Sequence, residues 1–142
     1  MGDFMKLLGD AVGAEVRRQA DARGQLGIGE LVALLRAADQ SKRVFATVNG
    51  RVFGVSAEVG SYRGYYDQLA IEPGEEATAG QLADRLSDAV GETFTGYKGG
   101  DFAMSRNTSV WVADYGTCPG WAVTAFQGPD ERVLLEITVE EW

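Results

Sequence analysis

The segment GSYRGYYDQLAIEP, residues 60–73, sets Tyr62, Tyr65 and Tyr66 around Arg63, with Gly60 and Gly64 alongside. Arginine presents a planar fork of donors that fits a phosphate or carboxylate. Tyrosine offers a π-face to a base and a hydroxyl to a sugar or phosphate oxygen. Glycine lets backbone approach a ligand closely and adopt φ values that other residues avoid. These residue types suit a flat, negatively charged ligand. They suit equally a half-buried strand whose arginine pairs with Asp67 or Glu72.

A second cluster is GYKGGDFAMSRN, residues 96–107, where Gly96, Gly99 and Gly100 surround Lys98 and Arg106 follows. Glycine amides beside a lysine can cradle a phosphate. The order of residues is not that of a Walker A loop, and the alternative is a glycine-rich turn between two strands. A third cluster is SVWVADYG, residues 109–116, with Asp114 between Trp111 and Tyr115. An aspartate there can accept from an adenine amine or a ribose hydroxyl, or open an Asx turn. The acidic residues Asp67, Glu72, Glu75, Glu76, Asp101 and Asp114 show no metal-loop spacing. Glu75 and Glu76 are better placed as charge ahead of a helix N-terminus.

Composition narrows the chemistry. The chain has 142 residues, no histidine and Cys118 as its one cysteine. Lacking histidine, it has no Ser–His–Asp triad, no histidine general base and few routes to a zinc site. Cys118 has no histidine to activate it and reads as an inert thiol. These absences favour binding over catalysis. The formal charge is −8, which disfavours duplex nucleic acid as a partner. No stretch reaches the ~18 apolar residues of a membrane helix. With glycines and charges scattered through it, the N-terminal stretch is not expected to be a secretory signal, nor a myristoylation site, since Lys6 stands where Ser or Thr is wanted. The expectation is a cytoplasmic protein.

The elements that must position these clusters follow from periodicity. Phe4, Leu7, Leu8, Ala11, Val12 and Val16 predict a helix over 3–20, and Leu31, Leu34, Leu35 and Ala38 a second over 29–39. Residues 1–41 are therefore expected to form a helical hairpin. From residue 42 the texture changes to short β-branched and aromatic runs. Asn49-Gly50 predicts a hairpin turn, because a type I′ turn needs positive φ at both central positions. Thr78 and Gln81 form a capping box ahead of Leu82, Leu86, Ala89 and Val90, with Gly91 as the stop, which predicts a helix over 78–90. No internal repeat is read along the chain. The expected fold is α+β and one domain: residues 42–142 form an antiparallel sheet, with the hairpin and one further helix packed on it.

Taken in order, SYRGYYDQLA, then the capped helix, then GYKGGDFAM and WVADYG resemble blocks of small phage proteins, over roughly residues 58–116. The set resembles the first-described type of phage Thoeris anti-defence proteins. That resemblance implies a sponge in the host cytoplasm that binds a cyclic ADP-ribose isomer and does not degrade it. It implies a ligand at a dimer interface within an even-numbered ring such as a hexamer, with no cofactor and no metal. The ligand-binding set it implies here is Tyr62, Arg63, Tyr65, Lys98, Phe102, Met104, Arg106, Asp114 and Tyr115. Asp114 stands where the family pattern leads one to expect Asn, and Met104 where an aromatic is usual. The competing readings are a phage protein-interaction or structural protein with no small ligand, and a carboxylate-and-metal phosphodiesterase.

Overall fold

The structure is a computed structural model and describes residues 24–64, 68–96, 98–113, 120–127 and 133–140. Among the described residues two α-helices, α1 (Ile28–Ala37) and α2 (Ala79–Ala89), accompany eight strands. These are β1 (Val44–Val48), β2 (Arg51–Ser61), β3 (Gln68–Pro73), β4 (Thr93–Thr95), β5 (Asp101–Ala103), β6 (Ser109–Val112), β7 (Gly120–Gln127) and β8 (Val133–Glu140). The expected helix over 3–20 lies outside the described residues, so of the helical hairpin only its second member is seen.

The strands correct the expectation of a simple antiparallel sheet. Six of them close into a barrel in the order β1-β2-β3-β6-β7-β8, and β4 and β5 form a separate hairpin. Two seams of the barrel are parallel, β1 with β8 and β3 with β6. A parallel neighbour needs a crossover connection. Residues 74–108 make one, carrying α2 and the β4–β5 hairpin from the end of β3 to the start of β6. Closure leaves no barrel strand with an open edge, so the pairing groups that would otherwise template aggregation are used internally.

Local chemistry explains the elements. Asn49 (φ +48°) and Gly50 (φ +81°) make the expected turn between β1 and β2. Thr78 Oγ1 accepts from Gln81 N at 3.1 Å while Gln81 Oε1 accepts from Thr78 N at 2.9 Å, so α2 starts at its capping box. Gly91 (φ +87°) follows the last turn, as the sequence predicts. Helix α1 ends earlier than expected. Ala38 is extended, and Gln40 Nε2 donates to the carbonyls of Leu35 (2.8 Å) and Ala38 (2.7 Å).

The architecture contains an internal repeat that no periodicity announced. Helix α1 and helix α2 share one pattern: Gly29 with Gly80, Glu30 with Gln81, Leu31 with Leu82 and Leu35 with Leu86. Helix α1 leads directly into the three-stranded meander β1-β2-β3, and helix α2 leads through the β4–β5 hairpin into β6-β7-β8. The hydrogen bonds repeat as well. Ile28 N donates to Thr108 O at 3.0 Å, and Ala79 N to Lys42 O at 2.7 Å. Leu26 joins Val110 N (3.0 Å) to Val123 O (2.9 Å), and Ala77 joins Val44 N (2.8 Å) to Val55 O (2.9 Å). The segment ahead of each helix thus inserts between the first two strands of the other half. Neither half holds its own barrel seam, so both must fold together. The likeness in residue type is confined to the helices, while the hydrogen-bond pattern carries it into the strands.

The core follows from strand alternation. Val44, Ala46, Val55, Leu69, Ile71, Val110, Val112, Val123, Val133 and Leu135 are fully buried in one cluster with Leu31, Leu35, Leu82 and Leu86 of the helices. The helices therefore lie against the end of the barrel where β1 and β6 begin. Arg36 of α1 pairs with Asp84 of α2 at 2.8 Å on their exposed side. No helix among the described residues is long and apolar enough to cross a membrane.

Candidate functional site

Four strands contribute one outward row to the site: Gly60, Ala70, Trp111 and Ala122 stand side by side in register. One large ring flanked by three small residues makes a slot beside Trp111. The chain leaves β2 at Ser61, turns through a short 3-10 segment at Tyr62–Gly64, and lays Tyr62 into that slot. The two rings stack with centroids 4.3 Å apart and planes 1° apart. Tyr62 is 1% exposed and Trp111 fully buried.

The turn forces Arg63 into the left-handed region (φ +53°, ψ +23°), which a non-glycine residue enters at a cost. Its guanidinium carbon lies 5.2 Å over the Tyr62 ring, within cation–π range. Arg63, Tyr62 and Trp111 therefore form three layers, with the exposed arginine outermost. The stack limits the guanidinium's freedom before any ligand arrives.

Arg106 lies at the same end of the barrel. Ser61 pairs with Leu69, and Leu69 with Val110. Two strand spacings, on the order of 10 Å, thus separate the chain that runs out to Arg63 from the strand that Arg106 leads into. Arg106 is exposed and its side chain passes over Gly29 at the start of α1, where an added Cβ would come within 3.2 Å of its Nε. The amides that open the helices are already used by chain carbonyls: Gly29 N donates to Arg106 O (2.8 Å) and Gly80 N to Gln40 O (3.0 Å). These two helix-opening amides are therefore not open to an anion.

The β4–β5 hairpin has no counterpart in the first half. Phe94 and Phe102 face each other across it with centroids 6.3 Å apart, both half-buried, and Lys98 is exposed at its turn. Gly96 N donates to Gly100 O and Gly99 N to Gly96 O, each at 2.9 Å. Those two amides close the turn, as in the glycine-rich turn that the sequence offers as the alternative, and are not open to a phosphate.

Of the residues implied as ligand contacts, Arg63, Lys98, Phe102 and Arg106 present accessible surface. Tyr62 and Met104 present almost none. Tyr62 is spent against Trp111, and Met104 is 2% exposed within the main core cluster, where apolar burial holds it. Tyr65, Asp114 and Tyr115 lie outside the described residues. Among the described residues no group of three acidic or cysteine side chains is arranged to hold a metal ion.

Sequence reasoning missed a second aromatic and cationic group at the opposite end of the barrel. Phe53 and Trp121 meet there with centroids 5.5 Å apart, and the Arg51 guanidinium carbon lies 5.9 Å over Phe53. The residues are remote in sequence, so only alternation along β2 and β7 hinted that both rings point inward. No family model, curated protein or solved structure matches this chain.

Proposed function

We propose that this protein binds a small, flat, anionic nucleotide and holds it without chemical change. The observation that carries the reading is the exposed Arg63 fork, held over the Tyr62–Trp111 stack at the barrel end it shares with Arg106. Two guanidinium groups suit a pyrophosphate. Phe102 and Lys98 on the added hairpin supply an aromatic surface and a third cation. The absence of histidine from the chain supports retention over turnover. The resemblance of residues 58–116 to Thoeris anti-defence proteins narrows the ligand to a cyclic ADP-ribose isomer. On the same resemblance we propose that it acts in the host cytoplasm during phage infection, as a dimer-based ring such as a hexamer.

The test mixes the purified protein with the nucleotide product of a TIR-domain defence enzyme. Free ligand is filtered away, the protein is heat-denatured, and the released fraction is read by mass spectrometry. Intact cyclic nucleotide from the wild type and none from Arg63→Ala is the expected result. A degraded nucleotide would overturn the reading in favour of an enzyme.

A second reading is a protein-interaction module. It is favoured by the burial of Tyr62 and Met104 and by the closure of the glycine turn, which leave fewer small-ligand contacts than the motifs implied. An empty released fraction with unchanged nucleotide in the filtrate is its signature.

A further inference from the structure

We infer that the end of the barrel opposite Arg63 is a binding site for a planar aromatic anion, formed by Arg51, Phe53 and Trp121. A barrel of six strands is too narrow to hold more than its own side chains, so a ligand meets it at an end. The helices occupy the end where β1 and β6 begin. Among the described residues the other end carries the β1–β2 turn and the inward residues nearest it.

Register identifies those residues. Val48 pairs with Arg51 and Ala46 with Phe53 across β1 and β2, and Val112 pairs with Trp121 across β6 and β7. Ala46, Val48 and Val112 are buried and inward-facing, so their partners Arg51, Phe53 and Trp121 share the inner face. Phe53 and Trp121 are also counterparts in the internal repeat: Val55 and Val123 hold the same place in each half, and these rings lie two residues before them. They approach from opposite sides, 5.5 Å between centroids and tilted by 36°.

Both rings keep part of their surface exposed, although each packs against the main core. Arg51 is exposed and stands 5.9 Å over the Phe53 ring. Val48, Val112 and Ile137 line the inner wall near the same rim, and Arg51 carries the only charge among these six residues. Two partly open aromatic rings over an apolar floor, with one oriented cation, is the composition of small-molecule sites at barrel mouths. The rings take the flat apolar body of the ligand. The guanidinium takes its carboxylate, sulfonate or phosphate. A neutral ring compound gains only the apolar part.

The experiment uses the full chain and two probes, anilinonaphthalenesulfonate and its neutral analogue N-phenylnaphthylamine. Titration is followed by probe emission and by energy transfer from tryptophan. The wild type is expected to take up the sulfonate saturably. Arg51→Gln, an exposed substitution that leaves the fold intact by circular dichroism, weakens the sulfonate about tenfold and leaves the neutral probe within about twofold. Arg63→Ala changes neither probe, which separates this site from the proposed nucleotide site. Equal sulfonate affinity in Arg51→Gln, or loss of uptake in Arg63→Ala, overturns the inference.

Discussion

Tyr62 lies parallel to Trp111, ring against ring at 4.3 Å, and carries Arg63 on its outer face at 5.2 Å. This relationship joins the end of β2 to the middle of β6 across β3. Both rings are buried, so truncation removes packing and leaves a cavity. Tyr62→Ala and Trp111→Ala are each expected to cost about 3–5 kcal/mol in urea unfolding. The double mutant should cost less than the sum by roughly 0.5–1.5 kcal/mol, the worth of an aromatic pair. Additive losses would mean that the stack contributes area alone.

Gly29 and Gly80 both sit at the second position of their helices, where alanine normally stabilises by about 1 kcal/mol. Here a Cβ would lie 3.3 Å from the Arg106 carbonyl oxygen at Gly29, and 3.3 Å from the Gln40 carbonyl oxygen at Gly80. Those carbonyls are held by hydrogen bonds from the same glycines, so they yield little. Overpacking of about 1–3 kcal/mol outweighs the propensity gain. Gly29→Ala and Gly80→Ala are expected to lower the melting temperature, and a rise in either would refute the close-approach account.

Thr78→Ala is expected to cost about 1 kcal/mol by removing the acceptor of Gln81 N. The equivalent position in α1 is Gly27, whose amide donates to Glu30 Oε1 at 3.3 Å. Installing the better cap there should not help. A Cβ at Gly27 would lie 3.0 Å from the Arg106 carbonyl. Chemical denaturation of Thr78→Ala and Gly27→Thr, side by side, should show both less stable than the wild type.

Asp39 accepts from the backbone N of Ser41 at 2.9 Å and from its hydroxyl at 2.7 Å. These bonds, the backbone one foremost, hold its carboxyl below the ordinary 3.8. A depressed folded-state pKa means that the contribution is present at neutral pH and lost as pH falls through that value. Asp39 is exposed, so the effect is small. Asp39→Asn should be slightly less stable than the wild type at pH 7, and the two melting curves should converge in acid, as the pH falls through the lowered folded-state value. A gap that persists in acid would assign the loss to side-chain geometry and not to charge.

The candidate site was legible only in part. Arg63, Lys98 and Arg106 stood out by type, and they are exposed as a ligand would require. Tyr62 and Met104 looked similar in the sequence and turned out to be core. A tyrosine's π-face serves a nucleotide base or a tryptophan equally well, and which one it meets depends on a strand some fifty residues away. Arg51, Phe53 and Trp121 gave no local signal for the same reason.

By itself the sequence determined what local chemistry can decide. The Asn49-Gly50 turn, the Thr78 capping box, the Gly91 stop and the alternation of the strands each rest on a few adjacent residues. The absence of histidine and the charge of −8 needed no structure at all. Only the tertiary structure decided that six strands close on themselves, that two seams run parallel, and that each half lends its pre-helix segment to the other. Pairing partners are chosen by which apolar faces can be buried together, and that is a property of the whole chain.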